Sequence, residues 1–140
     1  MKYLHALNKI GGVGPRKMRL LLDFFETPQN AWEASESALK NSGVGEKLAE
    51  KIILERKNID PDRSWEYLEK ENIRFITLDD SAYPKLLKNI SNPPYIIYAR
   101  GEMDFNSSPT IAVVGSRKLR HTETKLQKNY PGNSQQADFR

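Results

Sequence analysis

The chain turns twice on the same three residues. "GGVGPRKMRLLL" sets Gly12-Val13-Gly14 between two amphipathic stretches, and "NSGVGEKLAEKI" repeats the device at Gly43-Val44-Gly45. Leu4, Leu7 and Ile10 recur at helical spacing before the first turn, and Met18, Leu21, Leu22 and Phe25 after it. Leu48, Ile52 and Ile53 line one face of the helix expected after the second. Glycine reaches positive φ at no steric cost, so each copy predicts a helix, a tight turn and a second helix.

This is the pattern of a helix-hairpin-helix. Its glycines leave backbone N–H groups free at the start of the following helix, where a phosphate docks against the positive end of the helix dipole. Gly12, Gly14, Arg16 and Lys17 are the candidate phosphate contacts of the first copy, and Gly43, Gly45 and Lys47 those of the second. Such contacts neutralise backbone charge, so the binding they predict is salt-sensitive and tolerant of base sequence. Glu46, beside Gly45, suits the helix dipole but repels phosphate. The plainer alternative is that both turns merely join packed helices.

Three textures follow one another along the chain. Residues 1–70 are predicted helical, with Thr27 and Asp60 as N-caps and Pro28 and Pro61 at first helical positions. Residues 71–118 alternate short strands with loops. "NIRFITL" is a strand, "YPKLLKNI" a brief helix or turn, Tyr95 to Ala99 a strand closed by Gly101, and Ile111 to Val114 an apolar strand. Residues 119–140 lack any trusted periodicity and are expected to be a disordered tail. The expected fold class is therefore α+β or α/β: a helical domain of SAM-like type, then an incomplete α/β domain.

The last strand runs into Gly115-Ser116-Arg117, followed by Lys118. Glycine permits close backbone approach, serine offers a hydroxyl, and arginine offers a two-pronged fork for phosphate at the carboxyl edge of a strand. This is neither G-x-G-x-x-G nor a P-loop, so neither a dinucleotide nor an ATP site is indicated. A capped strand end is the alternative.

Other features narrow the function classes. The chain of 140 residues has a formal charge of +4, which permits nucleic-acid binding without demanding it. It has no cysteine, which excludes disulfides and thiolate metal sites. No signal-like or membrane-spanning run occurs, so a soluble cytoplasmic protein is the expectation, with no membrane partner. His5 and His121 lack patterned partners, and His5 is assigned to packing or a helix surface. Asp79-Asp80 reads as a solvated turn, not a metal pair. Trp32, Trp65, Tyr67, Tyr95 and Tyr98 have rings suited to stacking on bases, but their positions assign them to cores. No catalytic constellation, metal site or cofactor is indicated.

Residues 4–118 resemble the DNA processing protein A (DprA/Smf) family. The resemblance rests on "GVGPRKMRLLLDFF", "DDSAYPKLLKNISNPPYIIYARG" and "IAVVGSRK", in that order. It implies a helical domain followed by a Rossmann-like domain. It also implies a protein, not an enzyme, that binds single-stranded DNA in natural transformation and loads a RecA-type recombinase. In the family the Gly-Ser-Arg turn lies in a basic DNA pocket, a role that falls on Gly115, Ser116 and Arg117, with Lys118 beside them. Full-length relatives are implied to be homodimers. After Lys118 the family's aromatic-glycine pair is missing, and "LRHTETKLQKNYPGNSQQADFR" reads as a shifted frame or premature end. That predicts a truncated form with reduced activity. Two rival readings are a helical protein-interaction module without DNA binding and a fragment of a nucleotide-processing Rossmann-like enzyme.

Overall fold

A computed structural model of the chain describes residues 1–102 and 104–107, which fall within one compact unit, Met1–Ser108. Helix α1 (Lys2–Lys9) buries Leu4, His5, Ala6 and Leu7. After the first glycine turn, α2 (Pro15–Phe25) opens with Pro15 in its first turn, where the missing N–H costs nothing. Helix α3 (Pro28–Glu33) starts at Thr27, whose Oγ1 accepts the Asn30 N–H at 3.1 Å. The short α4 (Glu36–Leu39) is capped by Ser35, which accepts the Ala38 N–H at 3.2 Å. A wide turn over Lys40–Val44 breaks at Gly43, and α5 (Glu46–Glu55) follows. Beyond it, Arg56 donates from Nη1 to the carbonyls of Trp32 and Ala34, both at 2.7 Å, and so satisfies the end of α3. Helix α6 (Pro61–Lys70) begins on Asp60, whose Oδ1 accepts the Asp62 and Arg63 N–H groups at 2.9 and 3.1 Å. Both cap positions predicted from sequence are thus occupied as predicted.

The helical core closes on Leu7, Ile10, Met18, Leu21, Leu39 and Ile52, all essentially without solvent contact. These are the periodic positions of the sequence, because one apolar stripe per helix is what such short helices must bury to be stable. No helix among the described residues is long and apolar enough to cross a membrane.

Strands β1 (Ile73–Thr77) and β2 (Ile96–Arg100) form an antiparallel pair, with Phe75 opposite Tyr98 and Ile76 opposite Ile97. This part of the chain therefore realises the α+β expectation, and the described residues form no parallel α/β sheet. The reason lies in the connection. A parallel pair needs a crossover that carries the chain back along the strand. Here the intervening α7 (Lys85–Lys88) is a single turn, and both ends of the loop are tied to the same edge of the sheet. Leu78 N–H reaches Tyr95 O at 2.9 Å, and Asp80 accepts from Thr77 N and Oγ1 at 2.6 and 2.8 Å. The buried Tyr83 donates its hydroxyl to Pro94 O at 2.6 Å. That bond ties the Tyr83-Pro84 and Pro93-Pro94 ends of the loop together. The strand predicted at residues 111–114 and the tail at 119–140 lie outside the described residues.

Contacts cross residue 70. Ile96 belongs to the helical core, and Phe75 and Tyr95 pack against it. His5 of α1 meets Tyr98 of β2 at 2.7 Å (Nδ1 to Oη) and sits edge-on to Trp65, Phe75 and Tyr98. Burial, with the Lys9 charge adding to it, lowers the His5 pKa from 6.5 to about 4, so the imidazole is neutral at pH 7. Burial also pushes the Tyr98 phenol up to about 12.

Two outcomes are expected. Tyr83→Phe leaves the Pro94 carbonyl unpaired in a buried site and should lower stability by about 1–2 kcal/mol, read as a shifted urea midpoint at unchanged slope. For His5 the unfolded state binds the extra proton between pH 6.5 and 4. The stability it confers is therefore complete above pH 6.5 and lost as pH falls toward 4. Urea midpoints from pH 7 to 4.5 should fall more steeply for the unmodified chain than for His5→Gln.

Candidate nucleic-acid interface

The structure brings the two Gly-Val-Gly turns side by side. They line one cleft of about 600 Å³ whose walls include Gly12, Lys17, Gly45, Lys47 and Lys51. The packing is reciprocal. Lys17, early in the helix after the first turn, donates its ammonium to Gly43 O of the second turn at 3.3 Å. Leu48, early in the helix after the second turn, covers Gly12, where an added Cβ would lie 3.3 Å from Leu48 Cδ1. Each turn is thus seated on the helix that follows the other.

The glycines have different reasons for being there. Gly12 lies at φ +103° under Leu48, so both conformation and space require it. Gly45 lies at φ +92° and is the cap residue of α5. Gly14 is at φ −85°, with nothing within 4 Å of an added Cβ. Neither conformation nor packing demands glycine there, and the open space lies directly over the start of α2.

Neither α2 nor α5 has a capping side chain hydrogen-bonded at its N-terminus. The first-turn N–H groups of both helices therefore keep the partial positive charge of a helix start. Arg16 and Lys47 are exposed and form no ion pair among the described residues. Lys51, which sequence reasoning missed, belongs to the same cleft. Its ammonium lies 3.5 Å from Glu55, whose other oxygen accepts the Gly11 N–H at 3.2 Å. The periodicity of α5 shows Lys51 on its polar face, but nothing in the sequence places that face opposite Gly11. Glu46 also lines the cleft and opposes the cations there. Gly115, Ser116, Arg117 and Lys118 lie outside the described residues.

Among the described residues no cluster of His, Asp or Glu stands close enough to hold a metal ion. Asp80 is engaged by Thr77, and Asp79 accepts from the Tyr95 hydroxyl at 3.4 Å. Trp32 is buried in the core, whereas Tyr67, also assigned to a core from sequence, is 57% exposed on α6. Its position at the solvent face follows from how α6 packs on α1 through Leu68, a choice that α6's own residues leave open.

Paired glycine turns with basic helix starts define a tandem of helix-hairpin-helix units, and residues 4–58 match the family described as the SAM-like helix-hairpin-helix tandem. Residues 74–139 match the family described as DNA recombination-mediator protein A, and that match continues past Lys118. The chain belongs to this family, the DprA/Smf proteins. It is 38% identical over 120 residues to the protein Smf of Synechocystis sp., covering 82% of this chain and 30% of that protein. It thus spans about a third of the length of that relative. Over 49 residues it is 49% identical to the UvrABC system protein C of Dictyoglomus thermophilum, covering 34% of this chain and 8% of that protein. No solved structure matches it significantly.

Substitutions at Gly12 and Gly14 should have opposite outcomes. Gly12→Ala should cost about 1–2 kcal/mol of stability, since it forces an L side chain to positive φ against Leu48. Gly14→Ser should be neutral or slightly stabilising, because serine is a good N-cap and the space is open. Thermal unfolding of the two variants checks both.

Proposed function

We propose that this chain takes part in DNA processing during DNA uptake and recombination, and that its hairpin cleft holds the phosphate backbone of single-stranded DNA. The observation that carries the reading is the convergence of the start of α5, which has no capping side chain, and the side chains of Lys17, Lys47 and Lys51 on one cleft. A phosphate placed there meets backbone N–H donors, helix-dipole charge and ammonium groups together. None of these groups distinguishes one base from another, so the binding is sequence-tolerant.

The remaining features implied by family membership form part of the same proposal. Gly115, Ser116, Arg117 and Lys118 add a second phosphate site, and a Rossmann-like domain surrounds that turn. A RecA-type recombinase is the protein partner, the homodimer is the assembly, and the cytoplasm is the compartment. The chain acts by binding and handing over the strand, not by catalysis. Support comes from the family match over residues 74–139 and the likeness to Smf.

The test is fluorescence anisotropy with a labelled mixed-sequence single strand across a salt series. Affinity should fall linearly in log–log form with salt. Lys47→Ala and Arg117→Ala should each weaken binding and flatten the slope by about 0.7, the share of one phosphate contact. Salt-independent binding, or none at low ionic strength, refutes the reading.

A further inference from the structure

A second cleft, of about 610 Å³, opens at the end of α1. Lys9, at the last position of α1, lines it, while Gly11 lines the hairpin cleft. The segment after α5 is shared in the same way. Glu55 accepts the Gly11 N–H beside the hairpins, and Asn58 lines the second cleft. The two clefts therefore draw on the same two chain segments.

The lining of the second cleft is chemically specific. Ile59, Leu68 and Ile73 give it an apolar floor, and the rings of Tyr67 and Tyr98 stand at its walls. Tyr67 is more than half exposed. Two cations, Lys9 and Arg63, line it as well. Lys9 is positioned by Ser64, which accepts from its ammonium at 3.1 Å, and the Arg63 guanidinium forms no ion pair among the described residues. The carboxylate of Asp60 also faces this cleft, but its Oδ1 is committed to the N–H groups that start α6.

His5 supplies a directed polar group. Asn8 donates to the Tyr98 oxygen at 3.2 Å, and the same oxygen meets His5 Nδ1 at 2.7 Å. Nδ1 is thus engaged in either tautomer, which leaves Nε2 as the ring nitrogen available to a ligand. Only 7% of His5 is exposed, and no described residue pairs with Nε2. His5 lines this cleft, with Nε2 the ring nitrogen not engaged by Tyr98.

A ligand matched to these groups has a flat apolar ring system with polar edges and carries a negative charge. We infer that this cleft takes one nucleotide, its base against Tyr67 and within reach of His5 Nε2, its phosphate on Lys9 and Arg63. The volume is that of a small-ligand site, and stacking on an exposed tyrosine suits any base. The inference extends the DNA reading of the neighbouring hairpins, since both clefts are lined from the segment that ends α1. It stands, however, on the lining of this cleft alone.

Two measurements on the full chain test it. The first is a titration with thymidine monophosphate, followed by NMR at the rings of His5 and Tyr67. The second is anisotropy with oligo-dT and with the same strand made abasic, using the unmodified chain, Tyr67→Ala and Arg63→Ala. Both residues are exposed on α6, so neither change touches the core. Expected are ring shifts with the mononucleotide and about a tenfold loss of oligo-dT affinity for each variant. Tyr67→Ala should lose nothing further on the abasic strand. Mononucleotide shifts with strand binding untouched by both variants would assign the cleft to a free nucleotide and uphold the inference. If the chain binds no strand at all, the hairpin reading falls and the mononucleotide titration alone decides this one. Absent shifts together with unchanged strand binding overturn it, as does an equal loss for Tyr67→Ala on base-bearing and abasic strands.

Discussion

The burial of α1 is the interaction on which the rest of the described structure depends. Eight residues are too few for a helix to be stable alone in water, so α1 exists because it is enclosed. Leu4, Ala6 and Leu7 meet the helical core, and His5 meets the aromatic cluster of Trp65, Phe75 and Tyr98. One short helix thus binds the paired hairpins on one side to the β-hairpin on the other. The chain leaves α1 at Ile10 directly into the first glycine turn. The geometry of the hairpin cleft is in this way tied to the packing of the same helix.

The polar side of α1 shows how a buried titratable group is accommodated. His5 is neutral at pH 7 because burial and the Lys9 charge both disfavour its ionised form. Its Nδ1 is satisfied by the Tyr98 phenol, which in turn accepts from Asn8. A chain of three neutral groups costs far less to bury than a charge. It also leaves Nε2 as the ring nitrogen not engaged by Tyr98.

Much of the fold was legible in the residues. Thr27-Pro28 and Asp60-Pro61 mark helix starts because cap chemistry is local and acts over three or four positions. Leu7, Met18, Leu21 and Ile52 identify the core because a helix repeats its faces at short intervals. The repeated Gly-Val-Gly named Gly12, Gly45, Lys17 and Lys47, which line one cleft, and also Gly14, Arg16 and Gly43, which do not line it. Lys51 and Tyr67 were missed for one reason. Both sit on polar helix faces, and which polar face looks into a cleft is decided by the element packed opposite. The antiparallel pairing of β1 and β2 was hidden likewise. It depends on the loop closed by Tyr83 and Pro94, eleven residues apart, where sequence pattern shows the residues but not their bond.

The sequence by itself determined the local elements: where helices begin, which side of each is apolar, where the chain reverses, and that the reversals carry glycine and positive charge. It also determined family membership, since ordered motifs survive as text. Only the tertiary structure decided that the two glycine turns lock against each other, that α1 joins helices to strands, and that two clefts are lined from the segment at its end. Those outcomes depend on contacts between residues distant along the chain, Lys17 with Gly43, Leu48 with Gly12 and His5 with Tyr98. Local preference acts through dihedral angles and near neighbours. The arrangement of elements is chosen by which faces bury together, and that choice is made by the whole core at once.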